Sequence, residues 1–294
     1  MSDFVQQQHS ICSFTNEENW GILSPIEQSI KQKIESVGTP LKDWDIKIYR
    51  GVLTGYNDAF IISTDKREEI LANCQTEDER LRTAELIRPI LRGRDIKRYG
   101  YVDNGLYLIN THNGIRGRIP RVKIEDYPAI KAHLDQYWEK IFTRVDKGDT
   151  PYNLRNCAYL EDFNKPKIMY PNMTKYIPFY FDKNGFYQND KSFMITGDTI
   201  AFLTAFLNSS IFKFCFLDNF PELQGGTREL RKIFFDKIPV LQVSKEINDA
   251  FIPKINDIQK DYTIQKAMEI DSMLFDLYNL TEEERKTIGF IEIT

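Results

Sequence analysis

Histidine and cysteine are scarce here, three and four among 294 residues. His9, His112 and His133 stand far apart, so histidine-based catalysis or metal binding has little to build on. Cys12, Cys74, Cys157 and Cys215 are scattered without a Cys-x-x-Cys pair. That argues against a zinc site and a disulfide framework, and favours a reducing, cytoplasmic address. Long apolar runs are also missing. A bilayer span needs roughly 20 apolar residues. The most apolar stretches, 200–207 and 211–217, are interrupted or flanked by Thr204, Asn208, Ser209, Ser210 and Lys213, so no membrane partner is expected. The first ten residues have neither the basic nor the apolar part of a signal peptide. No Gly-x-Gly-x-x-Gly, P-loop or Gly-x-Ser-x-Gly string occurs, so neither a nucleotide-phosphate cradle nor a serine-hydrolase elbow is indicated.

The composition present is that of a globular chain: 41% hydrophobic, 28% charged and 13% aromatic, enough for a sizeable core in one large domain or two small ones. Net charge is −4, but it is unevenly spread. Residues 80–123 hold eleven Lys/Arg against three acids, while the remainder carries 28 bases and 40 acids. A basic segment in an acidic chain is the footprint of a polyanion-binding face, or of a solvated arginine-rich surface.

Periodicity predicts a helix over 17–37, where Trp20, Leu23, Ile26, Ile30 and Ile34 recur at helical steps and Ser24-Pro25 suits a helix start. Strands are predicted at 45–50 and 59–63, joined by a two-glycine loop with Thr54, Tyr56, Asn57 and Asp58 at its tip. Short helices follow at 65–73 and 77–86, then a strand at 106–110 and a basic loop at 111–121. A helix over 124–145 is read with Ile130, Leu134, Trp138 and Ile141 inward. Strands come next at 167–170, 179–181 and 193–196. One apolar helix is read over 199–217, a loop over 219–229, a strand over 237–241, and helices from Ser244 onward. The order predicts an α+β (mixed α/β) fold. It divides into a tail and linker helix (1–40), a mixed-strand unit (41–243) and a helical C-terminal segment (244–294).

Three stretches have the chemistry of DNA contact. Arg88, Arg92, Arg94, Lys97 and Arg98 crowd around Gly93, and guanidinium forks suit phosphate oxygens and guanine edges. An internal salt bridge from Asp95 to a neighbouring arginine is the competing use. Arg116, Arg118 and Arg121 lie in a loop with Gly114 and Gly117. Gln224, Thr227 and Arg228 flank Gly225-Gly226, with Arg231 and Lys232 beyond. Asn172, Thr174 and Lys175 follow a strand and could meet phosphate. The aromatic stripe Phe202, Phe206, Phe212 and Phe216 is at core spacing. For a metal-dependent nuclease, Asp45/Lys47 and Glu284/Lys286 have acid-x-Lys spacing, but neither has an upstream Pro-Asp partner. No Asp-Pro-Pro-Tyr loop of an amino-methyltransferase occurs; the nearest string is Asp218-Asn-Phe-Pro221. Enzyme chemistry confined to this chain is therefore the weaker class, beside a binding module for DNA or for an acidic protein partner.

Several strings occur together: Asp43-Trp-Asp-Ile-Lys-Ile-Tyr-Arg-Gly-Val-Leu-Thr-Gly-Tyr-Asn-Asp-Ala-Phe-Ile-Ile62, Ile87-Arg-Pro-Ile-Leu-Arg-Gly-Arg-Asp-Ile-Lys-Arg-Tyr99, Pro166-Lys-Ile168, Phe202-Leu-Thr-Ala-Phe-Leu-Asn-Ser209, Gly225-Gly226, Lys237-Ile-Pro239 and residues 270–284. In that order, from about Trp20 to the end, they resemble the TaqI-like C-terminal specificity domain of type IIG restriction–modification enzymes and adenine-specific DNA methyltransferases. The resemblance implies a non-catalytic module that recognises double-stranded DNA. It would supply target choice to a methyltransferase domain, in cis or in trans, that is absent from this chain and binds S-adenosylmethionine; this chain itself needs no cofactor or metal. Members that read different sequences share the 92–98 string. That assigns Arg92, Arg94, Lys97 and Arg98, with Thr54, Asn57 and Lys175, to scaffold or phosphate positioning. Base readout falls to the less family-like stretches 111–121, 146–156 and 219–231, and there to Arg116, Arg118, Arg121, Gln224, Thr227, Arg228 and Arg231.

Overall fold

Helix starts are written locally. The computed structural model describes residues 23–290. Its first helix, α1 (Pro25–Val37), begins in a capping box: Ser24 N donates to Glu27 Oε2 at 2.6 Å and Glu27 N donates to Ser24 Oγ at 3.4 Å. The predicted start at residue 17 lies outside the described residues. After β1 (Gly38–Pro40) and β2 (Ile46–Arg50) come α2 (Asn57–Phe60), β3 (Ile61–Ser63), α3 (Thr64–Ala72) and α4 (Glu77–Leu86). The last two are capped by Ser63 and Thr76. Strands β4 (Ile87–Leu91), β5 (Ile96–Lys97), β6 (Gly100–Tyr101) and β7 (Leu106–Ile109) precede α5 (Pro128–Asp135) and α6 (Trp138–Thr143). The single helix expected over 124–145 is broken there, and Trp138 is 41% exposed instead of inward.

Then follow β8 (Lys167–Pro171), β9 (Met173–Thr174), β10 (Tyr180–Asp182), β11 (Tyr187–Gln188) and β12 (Ser192–Gly197). After them come α7 (Ile200–Leu207), α8 (Ser210–Phe216), β13 (Glu222–Leu223), β14 (Thr227–Glu229), α9 (Lys232–Phe235) and β15 (Pro239–Leu241). The chain closes on α10 (Lys245–Lys260), α11 (Ile264–Leu277) and α12 (Glu282–Ile288), capped by Ser244, Thr263 and Thr281.

Two four-stranded sheets organise the molecule. The first, in order β10-β8-β12-β2, is antiparallel throughout; the second runs β11-β4-β7-β3, with β11 parallel to β4. Alternation along β8 and β12 separates the packing. Ile168, Tyr170 and Ile195 enter a helical core with Ile30, Phe206 and Phe251, while Met194 faces a second core with Ile90, Leu108, Ile130 and Leu134. Helices α1, α10 and α11 thus share one core with the strands between them. β2 and β3 lie in different sheets, so the expected strand-loop-strand is not a hairpin. At the expected tip Thr54 alone is turned inward, 3% exposed and donating to Asn57 Oδ1 at 2.6 Å, while Asn57 and Asp58 are exposed.

The apolar helix read over 199–217 is also two helices, bent by 66° at Asn208-Ser209. Asn208 is fully buried, donates to Phe179 O at 2.8 Å and accepts from Phe179 N at 3.2 Å, tying the break to the strand region. Among the described residues no single helix is long and apolar enough to cross a membrane, and this bent pair is mostly core.

Candidate nucleic-acid interface

The 92–98 turn is built around Asp95, which is almost fully buried. Its carboxylate accepts from Arg92 N at 2.9 Å, from Arg92 Nε at 2.9 Å and Nη2 at 3.0 Å, and from Asn104 Nδ2 at 3.0 Å. Gly93 sits against the backbone, since an added Cβ would lie 2.5 Å from Lys191 O. Arg98 also turns inward: its guanidinium donates to Asn208 O at 2.6 and 3.1 Å and to Tyr262 Oη at 2.8 Å. Arg92 and Arg98 are thus spent on the fold. Arg94 and Lys97 are exposed. Arg94 has no side-chain partner among the described residues, and Lys97 Nζ touches only Arg94 O, at 2.8 Å.

Lys175 and the Gly225-Gly226 loop join this ridge. β14 pairs with β13 and with β9, placing Arg228 opposite Thr174 and Glu229 opposite Met173. Both glycines have φ of +77°, and a side chain at Gly225 would come within 4.0 Å of Lys175 Nζ. Lys175 and Gln224 are exposed, and Thr227 is half-buried at the hairpin end. Arg228 is held by Phe220 O and Asp218, both at 2.8 Å, and Arg231 by Glu229 at 2.7 Å. The 219–229 segment read as a loop is this small hairpin, whose strands of two and three residues were too short to signal it.

A second surface forms where the 111–121 and 146–156 stretches meet. Leu154 N donates to Thr111 O at 2.9 Å, Asn113 Nδ2 to Asp149 Oδ1 at 3.0 Å, and Asn153 Nδ2 to Val122 O at 2.9 Å. A bridge between Ile115 and Ile119 lifts Arg116, Gly117 and Arg118 to the tip, above a groove of about 740 Å³. Arg116 has no partner among the described residues; Arg118 pairs with Glu161, and Arg121 with Asp149 at 3.2 Å. Beneath this pair of loops lies Arg144, which sequence reading missed. It is buried against the Phe60 ring and donates to Thr54 O, to Pro151 O at 2.9 Å and to Asn153 O at 2.6 Å. Burial lowers its pKa to about 10.

Arg50 and Lys191 bridge the two surfaces. Tyr159 Oη donates to Arg50 O at 3.0 Å, Arg50 Nε donates to Asp190 O at 2.8 Å, and Lys191 O abuts Gly93. No local pattern singles out Arg50, because its partners Tyr159 and Asp190 are distant in sequence. The nuclease candidates fall elsewhere. Asp45 and Lys47 line a groove with Asp162, Asp198 and Asp249. Glu284 is buried, pairing with Lys33 at 2.6 Å and capping α12 through Thr281. Among the described residues no three acid, histidine or cysteine side chains are grouped to hold a metal.

A family model for the TaqI-like C-terminal specificity domain matches residues 88–240, just over half of the chain. The chain belongs to that family. The matched span of this TaqI-like specificity domain runs from β4 through β15 and holds the 92–98 turn, the 111–121 and 146–156 loops and the glycine hairpin. No curated protein sequence matches it. Two solved structures share its fold. One is the type IIL restriction-modification enzyme MmeI in complex with DNA: 10% identity, TM-score 0.58, covering 84% of this chain and 35% of that one. The other is the type IIG restriction endonuclease BpuSI: 14% identity, TM-score 0.52, covering 87% and 33%. The TaqI-like domain therefore spans about a third of the length of these enzymes.

Proposed function

We propose that this TaqI-like domain recognises a target sequence in double-stranded DNA and does no chemistry itself. It supplies target choice to a methyltransferase domain, in cis or in trans, as part of a restriction–modification enzyme. S-adenosylmethionine would belong to that other domain, as would the Asp-Pro-Pro-Tyr loop that holds a flipped base, a string this sequence does not contain. The observation that carries the reading is the ridge of Arg94, Lys97 and Lys175, exposed and without acidic partners among the described residues, on a chain whose net charge is −4. Cations left unneutralised by their own protein are the ones that can release counterions from a phosphate backbone. Arg116 and Gln224, at exposed positions on glycine-bearing loops, are the best placed for base edges, with Arg118, Arg121 and Thr227 beside them; Arg228 and Arg231 hold their hairpin.

The test is binding to a random duplex pool at about 50 and 200 mM salt. Salt-sensitive binding with an enriched motif is expected. Arg94→Ala should weaken every duplex alike and lower the salt slope by about one, with melting temperature unchanged. Arg116→Ala should act on the enriched motif. Arg92→Ala should instead cost about 1–3 kcal/mol of stability, because it strips the buried Asp95 of charged hydrogen bonds. A chain that binds no duplex at either salt sinks the reading and favours an acidic protein partner. A changed sequence preference in Arg94→Ala moves that residue from positioning to readout.

A further inference from the structure

Between the 92–98 turn and the 172–178 loop runs a groove of about 490 Å³. Its basic wall is Arg94, Lys97 and Arg98, and among the described residues lining it there is no carboxylate. The other large grooves differ: the one under Arg116 includes Asp149, and the one at Asp45 has further aspartates. The floor is apolar, with Ile96, Pro171 and Pro178. At the rim stands Tyr176, 58% exposed. Its backbone is fixed, since Thr174 Oγ1 donates to Tyr176 O at 2.7 Å and accepts from Tyr176 N at 3.1 Å. Tyr262, on the other side, is already held by Arg98. The groove thus offers a free, backbone-anchored aromatic ring facing unneutralised cations across an apolar floor.

The ligand that combines a flat apolar face with a negative charge a few ångströms away is a nucleotide. A groove of this volume holds one ligand-sized group, not a duplex. We propose that it takes a single unstacked nucleotide of the bound DNA, with the phosphate on Arg94 and Lys97 and the base against the Tyr176 ring. The proposal rests on the DNA-recognition reading and adds Tyr176 to it as a binding residue. Unstacking a base costs least where the base is already unpaired, so the site should reveal itself as a preference for such DNA.

The experiment compares a duplex carrying one unpaired 2-aminopurine with a fully paired duplex of the same flanks, using the full chain. The chain should prefer the unpaired-base duplex about tenfold and quench its fluorescence by stacking. Tyr176→Ala should erase both the preference and the quenching; Tyr176→Phe should keep them. Arg94→Ala should weaken both duplexes. Equal affinity for the two duplexes, or a preference surviving in Tyr176→Ala, overturns the nucleotide site while the DNA-recognition reading stands. A chain that binds neither duplex removes both.

Discussion

Arg92 and Arg94 stand two residues apart in one turn, yet the first grips Asp95 while the second faces solvent. The same division separates Arg98 and Arg144, which donate to backbone carbonyls, from Arg116, which has no partner among the described residues. Guanidinium is suited to both uses: its five donors satisfy several carbonyls at once when buried, and an unpaired fork meets phosphate when exposed. Lysine shows the same contrast. Lys97 and Lys175 are exposed, but Lys167 in the Pro166-Lys-Ile168 string is fully buried. Its ammonium donates to Asp182 at 2.5 Å and to Phe163 O at 2.6 Å, and burial depresses its pKa. Lys167→Met leaves the Asp182 carboxylate buried without its cation and should cost about 3–5 kcal/mol. Replacing both partners by apolar residues should recover most of that loss. The denaturation midpoints of the single and double variants decide it; a single variant as stable as the parent would show the pair to be energetically idle.

Elements begin where the sequence says and end where packing says. Helix starts at Ser24, Ser63, Thr76, Ser244, Thr263 and Thr281 follow from side chains that satisfy the first free N–H groups. The break between α7 and α8 is harder to read, because Asn208 and Ser209 lie inside an apolar run: Ser209 caps α8 locally, but Asn208 bonds across to Phe179. The loops of the interface depend on glycine in the same way. Gly114 has φ of +72°, and an added Cβ would meet Ile119 O at 2.3 Å; Gly117 has φ of +76° with open space around it. Gly117→Ala should therefore cost only the conformational term, about 1–2 kcal/mol. Gly114→Ala should cost more and shift the loop that carries Arg116. The difference should show in melting temperatures, and only Gly114→Ala should also alter sequence preference. Equal losses for the two would mean that the close approach at Gly114 relaxes freely.

At the scale of the whole molecule, stability and site share the same buried groups. His133 is buried in the second core with Nε2 donating to Ala59 O at 3.0 Å, and His112 accepts from Gly114 N at 3.2 Å through Nδ1. Burial lowers both pKa values from 6.5. Below that value the unfolded chain takes up protons that the folded chain refuses, so stability should fall as pH drops from about 7 towards 5. The melting temperature should decline across that window and decline less in a His112→Asn/His133→Gln double variant. A double variant with an unaltered slope would place the acid sensitivity elsewhere. Protonating His112 also removes the acceptor for Gly114 N, which couples the 111–121 loop to the same titration.

Much of this protein was legible in one dimension. Capping residues, strand alternation, the aromatic core stripe and the concentration of bases in residues 80–123 are local properties, and the strings from 43 to 284 already resembled a specificity domain. What the tertiary structure alone decided is which of those bases remain available. Arg98 meets Asn208 across 110 residues, Arg50 meets Asp190 across 140, and Arg144 meets Thr54 across 90. A guanidinium is occupied by whatever acceptors the fold brings within a few ångströms, and electrostatic attraction between neighbours in space carries no record of their separation along the chain. Sequence therefore determined that bases would concentrate in residues 80–123, and folding left Arg94, Lys97 and Arg116 of that stretch exposed, with Lys175 exposed beyond it.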